Sequence, residues 1–345
     1  MITKVIAQSK ISEVEKYLND YSKIVIVTHV SPDGDAIGSS LGLYHYLYDS
    51  GNDVNVIVPN AFPDFLKWIN GSKEILDYEK YPEYAEKLIF EAELIFCLDF
   101  NIPKRIKRLG EMVEAAGAKK VLIDHHPDPA DFCDVTISYP EISSTSELVF
   151  RLICRMGDFD MISRDGAEAI YTGMMTDTGA FTYNSNSKEI YYIIGELLKK
   201  GIDKDEIYAN VYHSYTADRF RMLGYVLYEK MKIYDQYNTA LICLSREEQK
   251  RFNARKGDTE GFSNMPLSIE NIVFSAFFRE DTDMIKISFR STGDFPTNIF
   301  SGENFGGGGH LNASGGEFYG TLDEAVKIFE EALPRYADLL NKKQS

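Results

Sequence analysis

Residues 24–50 read IVIVTHVSPDGDAIGSSLGLYHYLYDS, and this stretch sets the architecture. Ile24 to Thr28 is a short, mostly β-branched apolar run without alternation, the pattern of a strand buried on both faces. A helical pattern follows from Ala36. Between the two, Pro32 and Gly34 force a tight turn, so His29, Asp33 and Asp35 converge instead of alternating sides.

The same alternation continues along the chain. VNVIV (Val54 to Val58), LIFCLDF (Leu94 to Phe100) and KKVLID (Lys119 to Asp124) are further buried-strand runs separated by helical patterns. The fold class expected is α/β, a doubly wound and mostly parallel sheet. SSTSELVFRLICRMG reads as a helix opened by Ser/Thr caps and closed by Gly157. DGAEAIYTGMMTDTG reads as another, its acidic start matching the helix dipole. A helical, tyrosine-rich stretch follows from about Ser187 to Tyr228. A second unit starts near Met231 with strand-like NTALICLS, IVFSAFFRE and DMIKISFRS. It ends in LDEAVKIFEEALPRYADLL, an amphipathic helix in which Pro334 predicts a kink. The expected organisation is a first domain over residues 1–205, a helical connector over 206–230, and a smaller α/β domain over 231–345.

The bulk numbers agree with two domains, since 345 residues at roughly 150 per domain gives about two. With 44% hydrophobic and 26% charged residues, disorder and fibrous repeats are excluded. Lys plus Arg total 37 against 53 Asp plus Glu, a formal net charge of -16. That balance opposes gripping long nucleic acid, which needs cations to neutralise phosphates. No apolar run approaches the ~20 residues of a membrane helix, and the N-terminal MITKVIAQSKISEVEKYL lacks the pattern of an export signal. Cys97, Cys133, Cys154 and Cys243 are scattered, as reduced thiols in a cytoplasm are.

Four stretches concentrate the polar chemistry: His29, Asp33 and Asp35; Asp99 at the end of LIFCLDF; Asp124-His125-His126; and Asp177 in TGMMTDTGAF. Three of them directly follow a predicted parallel strand, and open α/β sheets bind ligands at that carboxyl edge. A lone Asp after a strand is most often a helix cap, and a lone buried His a satisfied core residue. Jointly, close carboxylates would repel one another unless a cation lay between them. Oxygen ligands with a few imidazoles suit Mn²⁺ or Mg²⁺, and six side chains suffice for two ions sharing a carboxylate. His45 and His213 have no carboxylate company and read as structural.

A fifth feature is FGGGGHLNASGG, Phe305 to Gly316. Gly306, Gly307, Gly308 and Gly309 allow close backbone approach and can form an anion-binding nest, to which His310 adds a donor. The bland alternative is a flexible loop. Upstream, Arg290 in ISFRS is late in a strand, where it can contact phosphate bidentately.

In this order, THVSPDGDAIGS, CLDF, IDHHP, TGMMTDTGAF and FGGGGHLNASGG resemble the DHH-family phosphoesterases carrying a DHH-associated C-terminal domain, most closely the oligoribonuclease and pAp-phosphatase (nanoRNase) type. The resemblance covers essentially the whole chain. It implies a metal-bearing N-terminal α/β domain and a smaller C-terminal domain across a cleft. It also implies two divalent cations, Mn²⁺ first, with Mg²⁺ or Co²⁺ as alternatives. On matching positions His29, Asp33 and Asp99 would hold one ion, and Asp35, Asp99, His125 and Asp177 the other. Asp99 would bridge, His126 would face the scissile phosphate, and Asp124 would orient a ligand histidine. Arg290 and Gly306 to His310 would bind the nucleotide. LNASGG departs from the two alanines more usual before the final glycine.

The expected chemistry is hydrolysis of a phosphate ester by an activated water. The expected partners are short RNA oligonucleotides, pAp, and linear or cyclic dinucleotides, and a homodimer is compatible. One rival is an exopolyphosphatase or pyrophosphatase, opposed by the glycine loop and Arg290. The other is a non-catalytic nucleotide sensor, opposed by the presence of all six candidate ligands.

Overall fold

Both faces of strand β1 (Lys23–Val27) are buried. Ile24 and Ile26 join one hydrophobic cluster, and Val25 and Val27 join a second on the opposite side. Hence the run is apolar without alternation. The computed structural model describes residues 4–213 and 215–342, and they divide into two compact units between residues 214 and 215.

The first unit holds α1 (Gln8–Asp20), β1, α2 (Gly34–Asp49), β2 (Asp53–Val58), β3 (Leu76–Asp77), α3 (Pro82–Glu91) and β4 (Leu94–Leu98). It continues with α4 (Arg108–Ala115), β5 (Lys119–Asp124), β6 (Val135–Ser138), α5 (Thr145–Met156), α6 (Arg164–Asp177), α7 (Lys188–Lys199) and α8 (Lys204–Tyr212). Its sheet runs β3-β2-β1-β4-β5-β6 with every pair parallel. Helices α3 and α4 cover one face, and α1, α2, α5 and α6 build the core on the other. The winding direction reverses between β1 and β4, the switch point where such sheets open a crevice at their carboxyl ends.

Helices α2 and α6 meet backbone to backbone. A Cβ on Gly38 would lie 2.6 Å from the Ala169 carbonyl oxygen and 2.8 Å from the Gly173 Cα, and one on Gly173 would lie 1.9 Å from Ser146 Oγ of α5. Only hydrogen at these positions permits the approach. This closeness brings the start of α2 and the end of α6 to the same rim.

The second unit holds α9 (Ala217–Tyr225), β7 (Met231–Tyr234), β8 (Thr239–Leu244), α10 (Arg246–Arg251), β9 (Phe274–Glu280) and β10 (Ile285–Ser291). It ends with α11 (Thr297–Phe305), β11 (Gly308–Gly309), β12 (Ala313–Phe318), α12 (Leu322–Ala332) and α13 (Ala337–Leu340). Its sheet, ordered β11-β12-β10-β9-β8-β7, is antiparallel except for the β8–β9 pair. Phe274, Phe278, Phe289, Phe300 and Phe329 fill the core between one face and α11 and α12. Met222 of α9 packs with Ile242 and Phe277 on the other face.

The stretch 206–230, read from sequence as a connector, contains the division. Ile207 and Val211 of α8 are buried in the first unit's core, whereas Met222 and Val226 belong to the second's. Pro334 breaks the final helix. α12 stops at Ala332, a 3-10 turn spans Leu333–Tyr336, and α13 follows. Among the described residues no helix is long and apolar enough to cross a membrane.

Candidate metal centre

The turns after β1, β4 and β5, at the carboxyl edge of the first sheet, and the end of α6 each deliver part of one cluster. After β1 the chain carries His29 and then Asp33, whose Oδ1 accepts the N–H groups of Asp35 and Ala36 at 3.1 and 3.0 Å. Asp33 is therefore the N-cap of α2 and a member of the cluster at once. After β4 comes Asp99, a non-glycine residue at φ 64°, a left-handed conformation that costs free energy and recurs at functional sites. β5 ends in Asp124, followed by His125 and His126. The end of α6 supplies Asp177.

The distances knit these turns together. His29 Nε2 lies 3.8 Å from Asp33 Oδ1 and 3.3 Å from Asp99 Oδ2. His125 Nε2 lies 3.9 Å from Asp35 Oδ2, 3.6 Å from Asp99 Oδ1 and 3.5 Å from Asp177 Oδ2. Asp99 thus faces both imidazoles, one through each oxygen. Two ligands held at ~2.1 Å from one ion stand roughly 3.0–3.4 Å apart, so most of these gaps are near what a shared cation requires. Two clusters of this kind lie within the first unit on either side of Asp99: His29, Asp33 and Asp99, and Asp35, His125 and Asp177.

Both imidazoles are turned for ligation. Nδ1 of His29 is 2.9 Å from the Val30 carbonyl oxygen, and Nδ1 of His125 is 3.2 Å from that of Ile142. A ring that donates through Nδ1 keeps its lone pair on Nε2, the atom that faces the carboxylates. Asp35 and Asp99 are 1% and 2% exposed. Such burial penalises charge, and the group responds as a metal-hungry site does. Asp35 is pushed well above the carboxylate range by burial and then by Asp99 and Asp177. Burial opposes charging of the two histidines, yet the carboxylates overcome it. Asp33 and Asp99 hold His29 up at about 10, and Asp177, Asp99 and Asp35 hold His125 up at about 9. Asp33 is held below its ordinary value, where His29 and the backbone outweigh burial. Protons on buried histidines do here what a divalent cation does better, so the residues present fit such an ion.

Asp124, fully buried, bonds a different histidine from the one expected. Its Oδ1 is 2.7 Å from Nδ1 of His126, while the ligand-facing His125 is oriented by the Ile142 carbonyl instead. The reason is geometric, because the two rings are inclined at 70° to one another and their nitrogens meet different partners. Burial and the cation of Arg105 hold His126 well below its ordinary pKa.

Other contributors were not singled out in the sequence. The N–H groups of Thr145 and Ser146, at the start of α5, bond Asp35 Oδ2 and Oδ1 at 2.7 and 2.9 Å. The Thr145 hydroxyl donates to Asp99 Oδ1 at 3.0 Å. The Ser/Thr run before α5 was the available signal, but a capping reading already accounted for it. Arg105 lies in the turn after β4, and its carbonyl accepts the Val30 N–H at 3.1 Å. His45 is structural, with Nε2 at 3.0 Å from the Asn70 carbonyl oxygen.

Arg290 and Gly306 to His310 belong to the second unit. The glycine run is a tight hairpin more than an open nest. Gly308 and Gly309 pair with Gly315 and Ser314, and the Gly307 N–H donates to the Ser301 carbonyl. A Cβ on Gly307 would lie 2.0 Å from the Gly315 carbonyl oxygen, so strand-to-helix packing already requires glycine there. His310 sits at the hairpin's tip, its N–H bonded to the Ala313 carbonyl at 2.8 Å.

The pattern of the DHH family, N-terminal domain, matches residues 23–174. The bifunctional oligoribonuclease and PAP phosphatase NrnA of Thermus thermophilus is 31% identical over 311 residues, which is 90% of this chain and 89% of that one. A crystal structure of an exopolyphosphatase-related protein from Bacteroides fragilis superposes with a TM-score of 0.94 at 64% identity, covering 99% and 100% of the two chains. The structure of RecJ in complex with Mn²⁺ from Thermus thermophilus shares the fold, with a TM-score of 0.55 and 16% identity over 97% of this chain and 55% of that one.

Proposed function

This chain belongs to the DHH family and is a hydrolase of phosphoester bonds, and we propose that it cleaves short oligoribonucleotides to mononucleotides and removes the 3′-phosphate of pAp. The observation that carries the reading is the convergence of His29, Asp33, Asp35, Asp99, His125 and Asp177 on one rim, with Asp99 between two ligand groups. His29, Asp33 and Asp99 would hold one cation, and Asp35, Asp99, His125 and Asp177 a second, Mn²⁺ being the first choice for this oxygen-rich set. When bound, the ions acidify water and neutralise phosphate charge.

The remaining roles fall to the chain. Asp124 fixes the ring of His126 through Nδ1, so that Nε2 meets the substrate and assists the leaving oxygen. Thr145 and the α5 N-terminus hold Asp99 and Asp35 in place. Arg290 and the hairpin around His310 recognise the nucleotide and hold it still, which lowers the entropic cost of reaction. The net charge of -16 restricts binding to local positive sites and favours short substrates over long RNA.

The likeness to an exopolyphosphatase-related protein keeps one second reading alive, hydrolysis of inorganic polyphosphate. Purified protein with Mn²⁺ should release phosphate from pAp and mononucleotides from a dinucleotide faster than phosphate from polyphosphate. The reverse order would replace the first reading with the second.

A further inference from the structure

We propose that the second unit carries, along β10 from Arg290, a further phosphate position built by Lys286 with Arg279 and Ser288, which takes another phosphate of the same oligonucleotide strand. The inference rests on the oligonucleotide reading above and assigns new residues to it.

The strand β10 alternates. Ile285, Ile287 and Phe289 are buried in the aromatic core, so Lys286, Ser288 and Arg290 lie on the opposite face. Register then fixes their neighbours. Lys286 stands across from Arg279 on β9 and Glu317 on β12, and Ser288 across from Phe277 and Gly315. Two cations directly opposite on antiparallel strands destabilise the sheet unless something offsets them. Arg279 is engaged, with Nη1 on Thr259 Oγ1 at 3.1 Å and Nη2 at 3.4 Å from Asp281 Oδ2. Glu317 accepts the Tyr319 hydroxyl at 3.0 Å. Lys286 makes no ion pair or hydrogen bond among the described residues. Burial lowers its pKa, Arg279 and Lys256 lower it further, and Glu260 and Asp281 act the other way.

A half-buried ammonium without an ion pair among the described residues, in a chain of net charge -16, is a cation open to an anion from outside. Ser288 and Gly315 leave a low floor between Lys286 and Arg290. Lys286 and Arg290 are four residues apart on β10, roughly 13–14 Å along the strand, a span comparable to two steps between successive phosphates in an extended single strand. Whichever phosphate Arg290 takes, the second one along reaches Lys286.

The test uses the full chain with Mn²⁺, pAp, and a 5′-phosphorylated pentaribonucleotide. Lys286→Gln should raise KM for the pentamer about tenfold and leave pAp within about twofold. The slope of log KM against log salt for the pentamer should flatten by about 0.7, the value of one phosphate contact on a single strand. Lys286→Arg should restore both. Equal effects on pAp and pentamer, or an unchanged pentamer slope, overturn the proposal. Equilibrium binding of a labelled pentamer separates this from failure of the substrate reading. If the wild type binds the pentamer with a Lys286-dependent salt slope but hydrolyses neither substrate, the phosphate position stands and the oligonucleotidase reading falls. No pentamer binding by the wild type sinks the phosphate position.

Discussion

Oδ1 of Asp124 lies 2.7 Å from Nδ1 of His126, and this bond decides which ring nitrogen His126 offers to a substrate. An asparagine in its place can present either an amide N–H or an oxygen to Nδ1, so the tautomer is no longer fixed. Asp124→Asn is expected to lower kcat by roughly 10–100-fold while Mn²⁺ affinity changes little, since the histidine facing the ligand group is held by Ile142 instead. Steady-state kinetics beside a calorimetric Mn²⁺ titration check this. A fall in metal affinity with kcat intact would mean that Asp124 serves the ions and not His126.

Packing at Gly173 gives a second expectation. A Cβ there would meet Ser146 Oγ at 1.9 Å and Asp35 Oδ1 at 2.9 Å. Gly173→Ala should therefore push α6 from the start of α5 and displace Asp35, at a cost of about 1–3 kcal/mol together with most of the activity. Gly195 in α7 is the control, because a Cβ there meets nothing within 4 Å. Gly195→Ala should stabilise by about 0.5–1 kcal/mol, as expected for a helical glycine with open space at its Cβ. Urea denaturation of the two variants would show opposite shifts in midpoint. Equal shifts would remove the packing argument.

These two cases mark what the sequence makes legible and what it hides. The parallel sheet could be read because β1, β4 and β5 are apolar on both faces, and the ligand turns because each follows one of those runs. Thr145 stayed hidden because its hydroxyl acts on Asp99, 46 positions away, while its local pattern reads only as a helix start. The partner of Asp124 was hidden for a similar reason. Adjacent histidines point in different directions, and spacing alone does not say which ring turns back. The short strands β3 and β11, two residues each, offer no periodicity to read.

A third prediction concerns pH. Glu248 caps α10, bonding the Ser245 N–H at 2.8 Å, and receives the Tyr225 hydroxyl at 2.6 Å and the Lys230 ammonium at 2.8 Å. Burial alone would raise its pKa, but Lys230, Tyr225 and Ser245 prevail and hold it at about 2 against 4.5 unfolded. A carboxylate depressed on folding stabilises fully above its unfolded pKa and loses that contribution as pH falls through the folded one. Glu248→Gln should therefore be less stable than wild type above pH ~4.5, by on the order of 1 kcal/mol for a partly exposed group. The two should converge as pH drops towards about 2. Thermal denaturation of both proteins between these limits checks the sign. A constant difference across the range would refute it.

The metal centre is testable without turnover, through stability. Asp99 at φ 64° tolerates asparagine better than alanine, because asparagine enters the left-handed region readily. Asp99→Asn should thus fold, with a metal-free Tm close to wild type. For wild type, Mn²⁺ at a hundredfold over its Kd should add about 2.7 kcal/mol, a rise of roughly 4 °C for a chain of 345 residues. Asp99→Asn should lose most of that rise, since the carboxylate that faces both His29 and His125 is gone. Thr145→Val keeps the carboxylate and removes only the hydroxyl donated to it, so it should need roughly tenfold more Mn²⁺ for the same rise. The ordering of the three proteins is the informative result. If Asp99→Asn responded to Mn²⁺ as wild type does, the ion would be held by groups that do not include Asp99. A Thr145→Val response equal to wild type would show that the bond from α5 does not position the carboxylate.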